Sequence, residues 1–317
     1  MSKLMALLGR FLFETHDAVR LRKQHYDTSD LEILSDIPYM DDGDAGHLFD
    51  IYRPKGAAAD IPVIVNIHGG GLFASYKTVN AWFNHEWARM GYAVVSLSYR
   101  RIPDTTLIHQ IADVMTALRF LQDNKGRYGL NLDTCCLTGD SAGALLALFV
   151  LSLEGSEALR TSFGIASSGI RFKAAGFISI MLDTTRRDLM FFIRNVVSDK
   201  ADEGKPYRKY LLDPVSMLKE TTLPPLYLVT SAQDIIRKDT LKFARALAEA
   251  NASHKLLDFP KGHRKRLVHV FSVQYPLWPE SRIVYQEFDN YFITDVSIHF
   301  TENAVSSSGI VYPAKNE

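Results

Sequence analysis

Near the middle of the chain lies the run Cys135-Cys136-Leu137-Thr138-Gly139-Asp140-Ser141-Ala142-Gly143-Ala144-Leu145-Leu146. Its first part is apolar and strand-like, and an apolar pattern typical of a helix continues to about residue 153. Gly-x-Ser-x-Gly between a strand and a helix is the nucleophile elbow, a sharp turn that exposes a serine. A Cβ at either glycine would clash, because strand and helix pass very close together there. The sequence therefore predicts Ser141 as a nucleophile at the apex of the turn.

A second glycine-rich turn lies upstream. The apolar run 62–68 is typical of a buried strand, and it ends in His68-Gly69-Gly70-Gly71. Consecutive glycines allow backbone N–H groups to approach a ligand oxygen without obstruction by side chains. The Ala142 N–H lies at a predicted helix N-terminus, where unpaired donors and the helix dipole favour an anion. We predict that the glycine turn and Ala142 together form an oxyanion hole, with His68 as a structural residue of the loop.

Strand-like runs alternate with helical patterns over most of the chain. Strands are predicted at 37–41, 48–54, 62–68, 92–98, 174–181, 226–230 and 255–259, and helices at 78–90, 108–124, 240–250 and 281–292. This alternation predicts an α/β fold with a mostly parallel central sheet covered by helices on both faces. The first two strands flank a turn and predict an antiparallel start.

We expect one domain over residues 1–317. The segment 183–212 interrupts the alternation, is rich in charge and carries an apolar cluster. We interpret it, with the N-terminal residues 1–30, as a small helical cap over the site. Residues 295–317 have no clear periodicity and are left as a C-terminal tail of undetermined structure.

Composition limits the classes of partner. The chain has 317 residues, 47% of them hydrophobic, and a formal net charge of +0, so nothing indicates a nucleic-acid partner. Cys135 and Cys136 are adjacent on a predicted strand and point to opposite faces, so no disulfide is expected and a reducing, cytoplasmic location is favoured. The apolar run 4–13 is broken by Arg10 and is too short to span a membrane. We expect it to form an amphipathic helix packed on the body.

An activated serine requires a histidine base and an acid that holds it. After an elbow of this kind the chain order is Ser, acid, His, and working groups lie at the carboxyl ends of strands. Asp234 follows the strand 226–230 and is the preferred acid. Asp239 directly precedes a predicted helix and is interpreted as its N-cap. Asp140 adjoins Ser141, so its side chain diverges from the serine and a structural role is predicted.

Four histidines follow Asp234. His254 precedes the last predicted strand, at the wrong end of the sheet, and His299 lies beyond the last helix. His263 sits among four lysines and arginines, whose charge would oppose an imidazolium. His269 is flanked by apolar residues that can fix its rotamer. We prefer His269 as the base and keep His263 as the alternative.

These motifs carry a resemblance to a known family. They are His68-Gly69-Gly70-Gly71, Tyr99-Arg100, Gly139-Asp140-Ser141-Ala142-Gly143, Asp234 and His269. Over about residues 50–292 the chain resembles the hormone-sensitive-lipase-like carboxylesterases, the α/β-hydrolase fold-3 set. The segment from His269 to Ser281 is similar to bacterial acetyl-esterase-like relatives. Tyr99-Arg100-Arg101-Ile102-Pro103-Asp104 differs from the Tyr-Arg-Leu-Ala-Pro-Glu that is common in the family, and the Asp-Pro-Leu-x-Asp pattern around the acid is absent.

The resemblance implies an α/β-hydrolase fold, a triad of Ser141, Asp234 and His269, and an oxyanion hole formed by Gly70, Gly71 and Ala142. It implies no metal and no cofactor. The expected activity is hydrolysis of short-chain, acetyl-like carboxylic esters through an acyl-enzyme. The alternatives are a peptidase or lactonase on the same fold, and a non-catalytic ligand-binding protein.

The expected partner is a small ester, and the sequence leaves the oligomeric state open. Candidate walls of the substrate pocket are Phe73, Met190, Phe191 and Phe192.

Overall fold

The computed structural model describes residues 3–24, 26–58, 61–184 and 202–298. These residues form the strands β1 (Leu31–Pro38), β2 (Leu48–Pro54), β3 (Pro62–Ile67), β4 (Ala93–Leu97), β5 (Asn131–Asp140), β6 (Ala175–Ile178), β7 (Leu226–Ser231) and β8 (His254–Phe259). The helices are α1 (Lys3–Lys23), α2 (Ala81–Arg89), α3 (Leu107–Tyr128), α4 (Ala142–Gly155), α5 (Glu157–Phe163), α6 (Arg208–Leu212), α7 (Arg237–Glu249), α8 (Phe271–Gln274) and α9 (Pro279–Ile298).

The strands form one sheet in the order β1-β2-β4-β3-β5-β6-β7-β8. β2 pairs antiparallel with both β1 and β4, and the six strands from β4 to β8 are parallel. The predicted mostly parallel α/β sheet with an antiparallel start is therefore confirmed. Parallel strands of this kind place their carboxyl ends, and the loops that follow them, along one edge.

Each face of the sheet has its own hydrophobic core. Val63, Val65 and Ile67 of β3 pack on the side of α3 and α4, whereas Ile64 packs on the side of α2 and α9. This division follows from the alternation of side chains along a strand. Cys135 lies in the first core and Cys136 in the second, and both cysteines are free.

At the elbow, the backbone of α4 passes very close to the end of β3. A Cβ built on Gly143 would lie 2.0 Å from the Ile67 carbonyl oxygen and 2.5 Å from that of His68. A Cβ on Gly139 would lie 2.7 Å from the Gly143 carbonyl carbon. Ser141 has φ 52°, a value that a residue with a side chain rarely adopts. The two glycines of the motif therefore allow α4 to begin directly against the end of β3.

Several element boundaries differ from the predictions. β1 begins at Leu31, not at residue 37, and a bulge between Leu34 and Ile37 interrupts its pairing with β2. α3 continues to Tyr128 because Gly129, with φ 61°, ends it in the left-handed conformation. Local patterns define the interior of an element better than its ends, because helix termini depend on capping contacts.

The N-terminal run predicted as a helix lies in α1, and the last helix extends to Ile298. Much of the predicted cap, together with residues 299–317 of the predicted tail, falls outside the described residues. Within the described part of the chain, no single helix is long and apolar enough to cross a membrane; α4 and α5 pass that test only as a pair bent by 117°.

We expect Gly143→Ala to lower the free energy of unfolding by more than about 2 kcal/mol, because its Cβ would overlap two carbonyl groups. Gly126→Ala is the matched control: Gly126 lies inside α3 with nothing within 4 Å of an added Cβ. That change should be neutral or should stabilise the protein by up to about 1 kcal/mol. Urea unfolding measures the free energy of unfolding of both variants. Equal effects of the two substitutions would contradict the close contact at the elbow.

Candidate active site

Ser141 stands between β5 and α4, at the carboxyl edge of the sheet. Its N–H donates to the Ile178 carbonyl at 2.9 Å, and its own carbonyl accepts from the Met181 N–H at 3.2 Å. These bonds hold the strained turn on the neighbouring strand β6. Only 9% of Ser141 is exposed, and it lines a pocket. The fold thus presents the serine hydroxyl to a cavity and not to bulk water.

His269 and Asp234 complete a continuous hydrogen-bond chain to the serine. His269 Nε2 lies 3.0 Å from Ser141 Oγ, and His269 Nδ1 lies 2.8 Å from Asp234 Oδ1. His269 is on the loop between β8 and α8, and the next residue, Val270, has φ 48°. A β-branched residue in this conformation is strained, and such strain is typical of functional sites. The structure therefore brings together the three residues predicted from the order of the motifs.

Asp234 is held as an acceptor by its surroundings. Its Oδ1 accepts the Ile236 N–H at 3.0 Å, and its Oδ2 accepts the Thr230 hydroxyl at 3.0 Å. Burial acts to raise the pKa of Asp234, but the hydrogen bond and the charge of His269 outweigh it, so this pKa lies below its ordinary value. A carboxylate that stays ionised can orient an imidazole and stabilise its protonated form.

The rival candidates are placed elsewhere. His263 Nδ1 lies 3.3 Å from Glu280 Oε1, and its ring packs against Phe259. His254 is the first residue of β8 and lies at the amino end of that strand, away from the carboxyl edge that carries Ser141. His299 lies outside the described residues. Among the described histidines, hydrogen bonding to Ser141 is found for His269.

The N-cap interpretation of Asp239 was wrong. α7 begins at Arg237, so Asp239 lies within its first turn. Its Oδ2 accepts the backbone N–H groups of Leu182 at 2.9 Å and Asp183 at 3.1 Å. Asp239 therefore ties α7 to the chain that follows β6. The sequence pattern near a helix start does not reveal such a distant contact.

The glycine turn after β3 is shaped for an oxyanion. Gly70 has φ 113°, and a Cβ on it would lie 2.2 Å from the Ala74 carbonyl oxygen. The Gly70 carbonyl accepts the N–H groups of Phe73 and Ala74. In the described part of the chain, the N–H groups of Gly70, Gly71 and Ala142 donate to no protein acceptor. Both glycines line the same pocket as Ser141, so their donors are available to a developing negative charge there.

Asp140 connects the turn to the elbow. Its Oδ1 accepts the Gly69 N–H at 3.0 Å and the Asn80 Nδ2 at 2.7 Å. Asn80 also donates to Asn66 Oδ1 at 3.2 Å. Burial raises the pKa of Asp140, in contrast to that of Asp234. The structural role predicted for Asp140 is consistent with these contacts, whereas Asn80 was missed because no motif surrounds it.

His68 belongs to the framework of the turn. Its Nδ1 lies 2.6 Å from the Gly69 carbonyl oxygen, and its ring stacks on Tyr99 with 4.5 Å between centroids. Complete burial lowers the pKa of His68 to about 4. The ring is therefore neutral near pH 7 and adds no charge beside the candidate oxyanion donors. These contacts fit the structural role predicted for it.

The pocket has a volume of about 470 Å³, within the range typical of small-molecule sites. Phe73, a predicted wall residue, lines it, whereas Met190, Phe191 and Phe192 lie outside the described residues. Apolar residues that the sequence analysis did not single out also line it: Leu12, Phe13, Val79, Met181, Ile235, Ile236, Val270 and Val273. They come from distant parts of the chain, and no sequence pattern connects them. In the described ranges, no group of three or more His, Cys, Asp or Glu side chains is arranged to hold a metal ion.

Burial of neutral His68 makes stability depend on pH. The unfolded chain binds a proton below pH 6.5 that folded His68 does not bind until about pH 4, so stability falls as the pH drops through this window. Between pH 7 and pH 5 we expect this residue to contribute a loss of about 2 kcal/mol. Urea unfolding at both pH values measures it.

His68→Asn should reduce this pH dependence by about the same amount. The control is His16→Gln, at a position whose side chain is 72% exposed, and it should leave the dependence unchanged. An undiminished pH dependence in His68→Asn would contradict the buried neutral imidazole.

Comparison with known proteins agrees with this geometry. A family model described as BD-FAE matches residues 49–189, under half of the chain. "Esterase LipQ" of Mycobacterium tuberculosis is 26% identical over 240 residues, covering 72% of this chain and 56% of LipQ. "Acetyl-hydrolase" of Streptomyces hygroscopicus is 28% identical and covers 72% and 74% of the two chains. The chain spans 33% and 51% of the length of two further curated relatives.

Solved structures show the same fold. Esterase B from Lactobacillus rhamnosis superposes with a TM-score of 0.87, covering 93% of this chain and 97% of that chain at 24% identity. At this identity the match concerns the fold. With the parallel sheet, the elbow and the chain order of serine, acid and histidine, it confirms the resemblance in fold drawn from the motifs. The chain therefore has the α/β-hydrolase fold and is similar in sequence to esterases.

Proposed function

We propose that the chain is a serine carboxylesterase. The observation that carries the proposal is the continuous chain from Asp234 through His269 to Ser141, with contacts of 2.8 and 3.0 Å, beside the backbone donors of Gly70, Gly71 and Ala142. This arrangement contains a nucleophile, its base, an orienting carboxylate and donors for an oxyanion. The similarity to LipQ and to the acetyl-hydrolase supports an ester as the substrate class.

In the first half of the proposed reaction, Ser141 Oγ attacks the ester carbonyl. Its proton passes to His269 Nε2 across the 3.0 Å contact. The carbonyl oxygen becomes negative and accepts hydrogen bonds from the three backbone N–H groups. His269 then gives the proton to the leaving alcohol, and the acyl group remains on Ser141.

In the second half, water attacks the acyl-enzyme. His269 accepts a proton from that water and returns it to Ser141 Oγ as the carboxylic acid leaves. Asp234 remains ionised throughout and stabilises the imidazolium that forms twice in each turnover. The lowered pKa of Asp234 is consistent with this role. The steps use only groups of this chain and water.

For the acyl group we propose a short chain. The S. hygroscopicus relative is named an acetyl-hydrolase, and Esterase B has been solved with a tributyrin phosphonate inhibitor. Phe73 and Phe13 meet edge to face at the pocket, with ring centroids 5.7 Å apart, and both line it. We propose that these two rings form a wall that limits the length of the acyl chain.

Release of p-nitrophenol from acetyl, butyryl and octanoyl esters tests the proposal. Ser141→Ala and His269→Ala should each lower kcat by about a thousandfold or more, because each removes a group that acts in bond formation. Asp234→Asn should lower it by about 10³- to 10⁴-fold. The rate should fall from butyryl to octanoyl esters.

His263→Ala is the matched control, because His263 was the rival base and its nitrogen contacts Glu280. The kcat of His263→Ala should stay within about threefold of the wild-type value. Activity retained in Ser141→Ala would contradict the mechanism. Folded wild type that turns over none of the esters, but cleaves a peptide or a lactone, would assign the site to another reaction of the same triad.

A further inference from the structure

Helix α1 has an unusual orientation. Several of its large apolar side chains are exposed, with Phe11 at 66% and Leu8 at 50%, and the half-exposed Leu12 and Phe13 line the candidate pocket. Arg20 is 8% exposed and points into the protein. A surface helix normally buries its apolar side and exposes its charges. Four charged side chains of α1 face the body instead and contact loops of the candidate active site: Arg10, Glu14, Asp17 and Arg20.

The first half of α1 holds the segment that follows the glycine turn. Arg10 Nε donates to the Phe73 carbonyl at 2.8 Å. The Glu14 carboxylate accepts the Ser75 N–H at 3.3 Å, and the Asp17 carboxylate accepts the Ser75 hydroxyl at 3.2 Å. These contacts act on the residues that immediately follow Gly70 and Gly71. They therefore restrict where the oxyanion donors can lie.

Arg20 connects two loops. Its guanidinium donates to the Val79 carbonyl at 3.1 Å and to the Gln274 carbonyl at 3.3 Å. Val79 precedes Asn80, the side chain that holds Asp140 and through it the glycine turn. Gln274 ends α8, five residues after the histidine. One buried side chain therefore links the oxyanion side of the site to the histidine side.

The rest of the surroundings supports this bridge. Asp17 lies 3.5 Å from Arg20 Nη2, so its carboxylate orients the guanidinium and balances its charge. Gln24 Nε2 adds a second donor, at 2.8 Å, to the Gln274 carbonyl. A planar guanidinium can reach two carbonyls at once, which a lysine ammonium does less well. The two terminal nitrogens of Arg20 donate to backbone carbonyls, its charge is paired with Asp17, and its buried Nε has no hydrogen-bond partner among the described residues. This pairing suits Arg20 better to hold the site than to bind an anionic substrate.

We propose that Arg20 is a positioning residue, which sets the spacing between the glycine turn with Gly70 and Gly71 and the loop that carries His269. The inference rests on the proposed esterase function. A displacement of about 1 Å between working groups can cost about a hundredfold in rate. The oxyanion donors act chiefly in the transition state, so their misplacement lowers kcat and leaves KM little changed.

Steady-state kinetics with p-nitrophenyl butyrate tests the bridge. Arg20→Met keeps the bulk of the side chain but removes its donors, and we expect kcat to fall by about 10- to 100-fold with KM changed by less than about threefold. Arg22→Met is the matched control, since Arg22 is exposed on the same helix. The kcat of Arg22→Met should stay within about twofold of the wild-type value. A wild-type kcat in Arg20→Met, or a loss confined to KM, would overturn the proposal.

Two further variants guard against a simple folding defect. Arg20→Lys keeps the positive charge but lacks the planar guanidinium group, and its kcat should fall less than that of Arg20→Met. In Arg20→Ala, millimolar guanidinium chloride should restore part of kcat without a matching gain in Arg22→Ala. Absence of rescue in folded Arg20→Ala, together with unchanged kcat in Arg20→Lys, would overturn the bridge.

Hydrogen exchange separates this proposal from the proposed function. If Arg20 joins the two loops, the amides of residues 70–79 and 270–274 should exchange faster in Arg20→Met than in Arg22→Met. This measurement needs no substrate. Unchanged exchange in both segments would overturn the positioning role even if the protein is an esterase. Faster exchange in a protein that hydrolyses no ester would keep the bridge and reject the esterase.

Discussion

Helix α4 begins against the end of β3, and this close contact shapes the whole site. Gly143 packs on the carbonyl groups of Ile67 and His68, closer than any side chain would allow. The contact places the helix N-terminus beside the glycine turn that leaves β3. Ser141 therefore lines the same pocket as Gly70 and Gly71. The φ of 52° at Ser141 is held by two hydrogen bonds, from its N–H to the Ile178 carbonyl and from the Met181 N–H to its own carbonyl.

Three ionisable groups near the serine have shifted pKa values, and their surroundings explain the direction of each shift. Asp234 receives hydrogen bonds from His269, Thr230 and Ile236, and its pKa is lowered. Asp140 has its pKa raised by burial, and the pKa of buried His68 is lowered to about 4. Burial disfavours the charged form of each group, and only Asp234 has partners strong enough to reverse that effect. The lowered pKa of Asp234 keeps its carboxylate ionised beside His269, where an imidazolium forms in the proposed reaction.

Helix α1 contacts two of the positions at which the chain departs from the family pattern. In the segment from Tyr99 to Asp104, an arginine stands where the family commonly has leucine, and an aspartate where it has glutamate. Arg101 bonds to Glu14 of α1, and Asp104 bonds to Arg10 of α1 at 3.0 Å. Both departures therefore contact the helix whose other charged residues hold the loops of the site. The inverted amphipathicity of α1 follows from the same need, because its partners are backbone groups and charged side chains.

Local patterns in the chain predicted the parallel α/β sheet and the elbow. The order of the motifs, with the family resemblance, singled out Ser141, Asp234 and His269, which the structure brings together. Buried parallel strands are continuous apolar runs, and an elbow needs small residues at fixed spacing, so both leave a readable local signal. The start of β1, the role of Asp239 and the contacts of Asn80 and Arg20 were not predicted. They depend on partners tens or hundreds of residues away, as with Arg20 and Gln274, which are 254 positions apart. Folding alone brings such groups together, and no short-range pattern in the chain records which of them will meet.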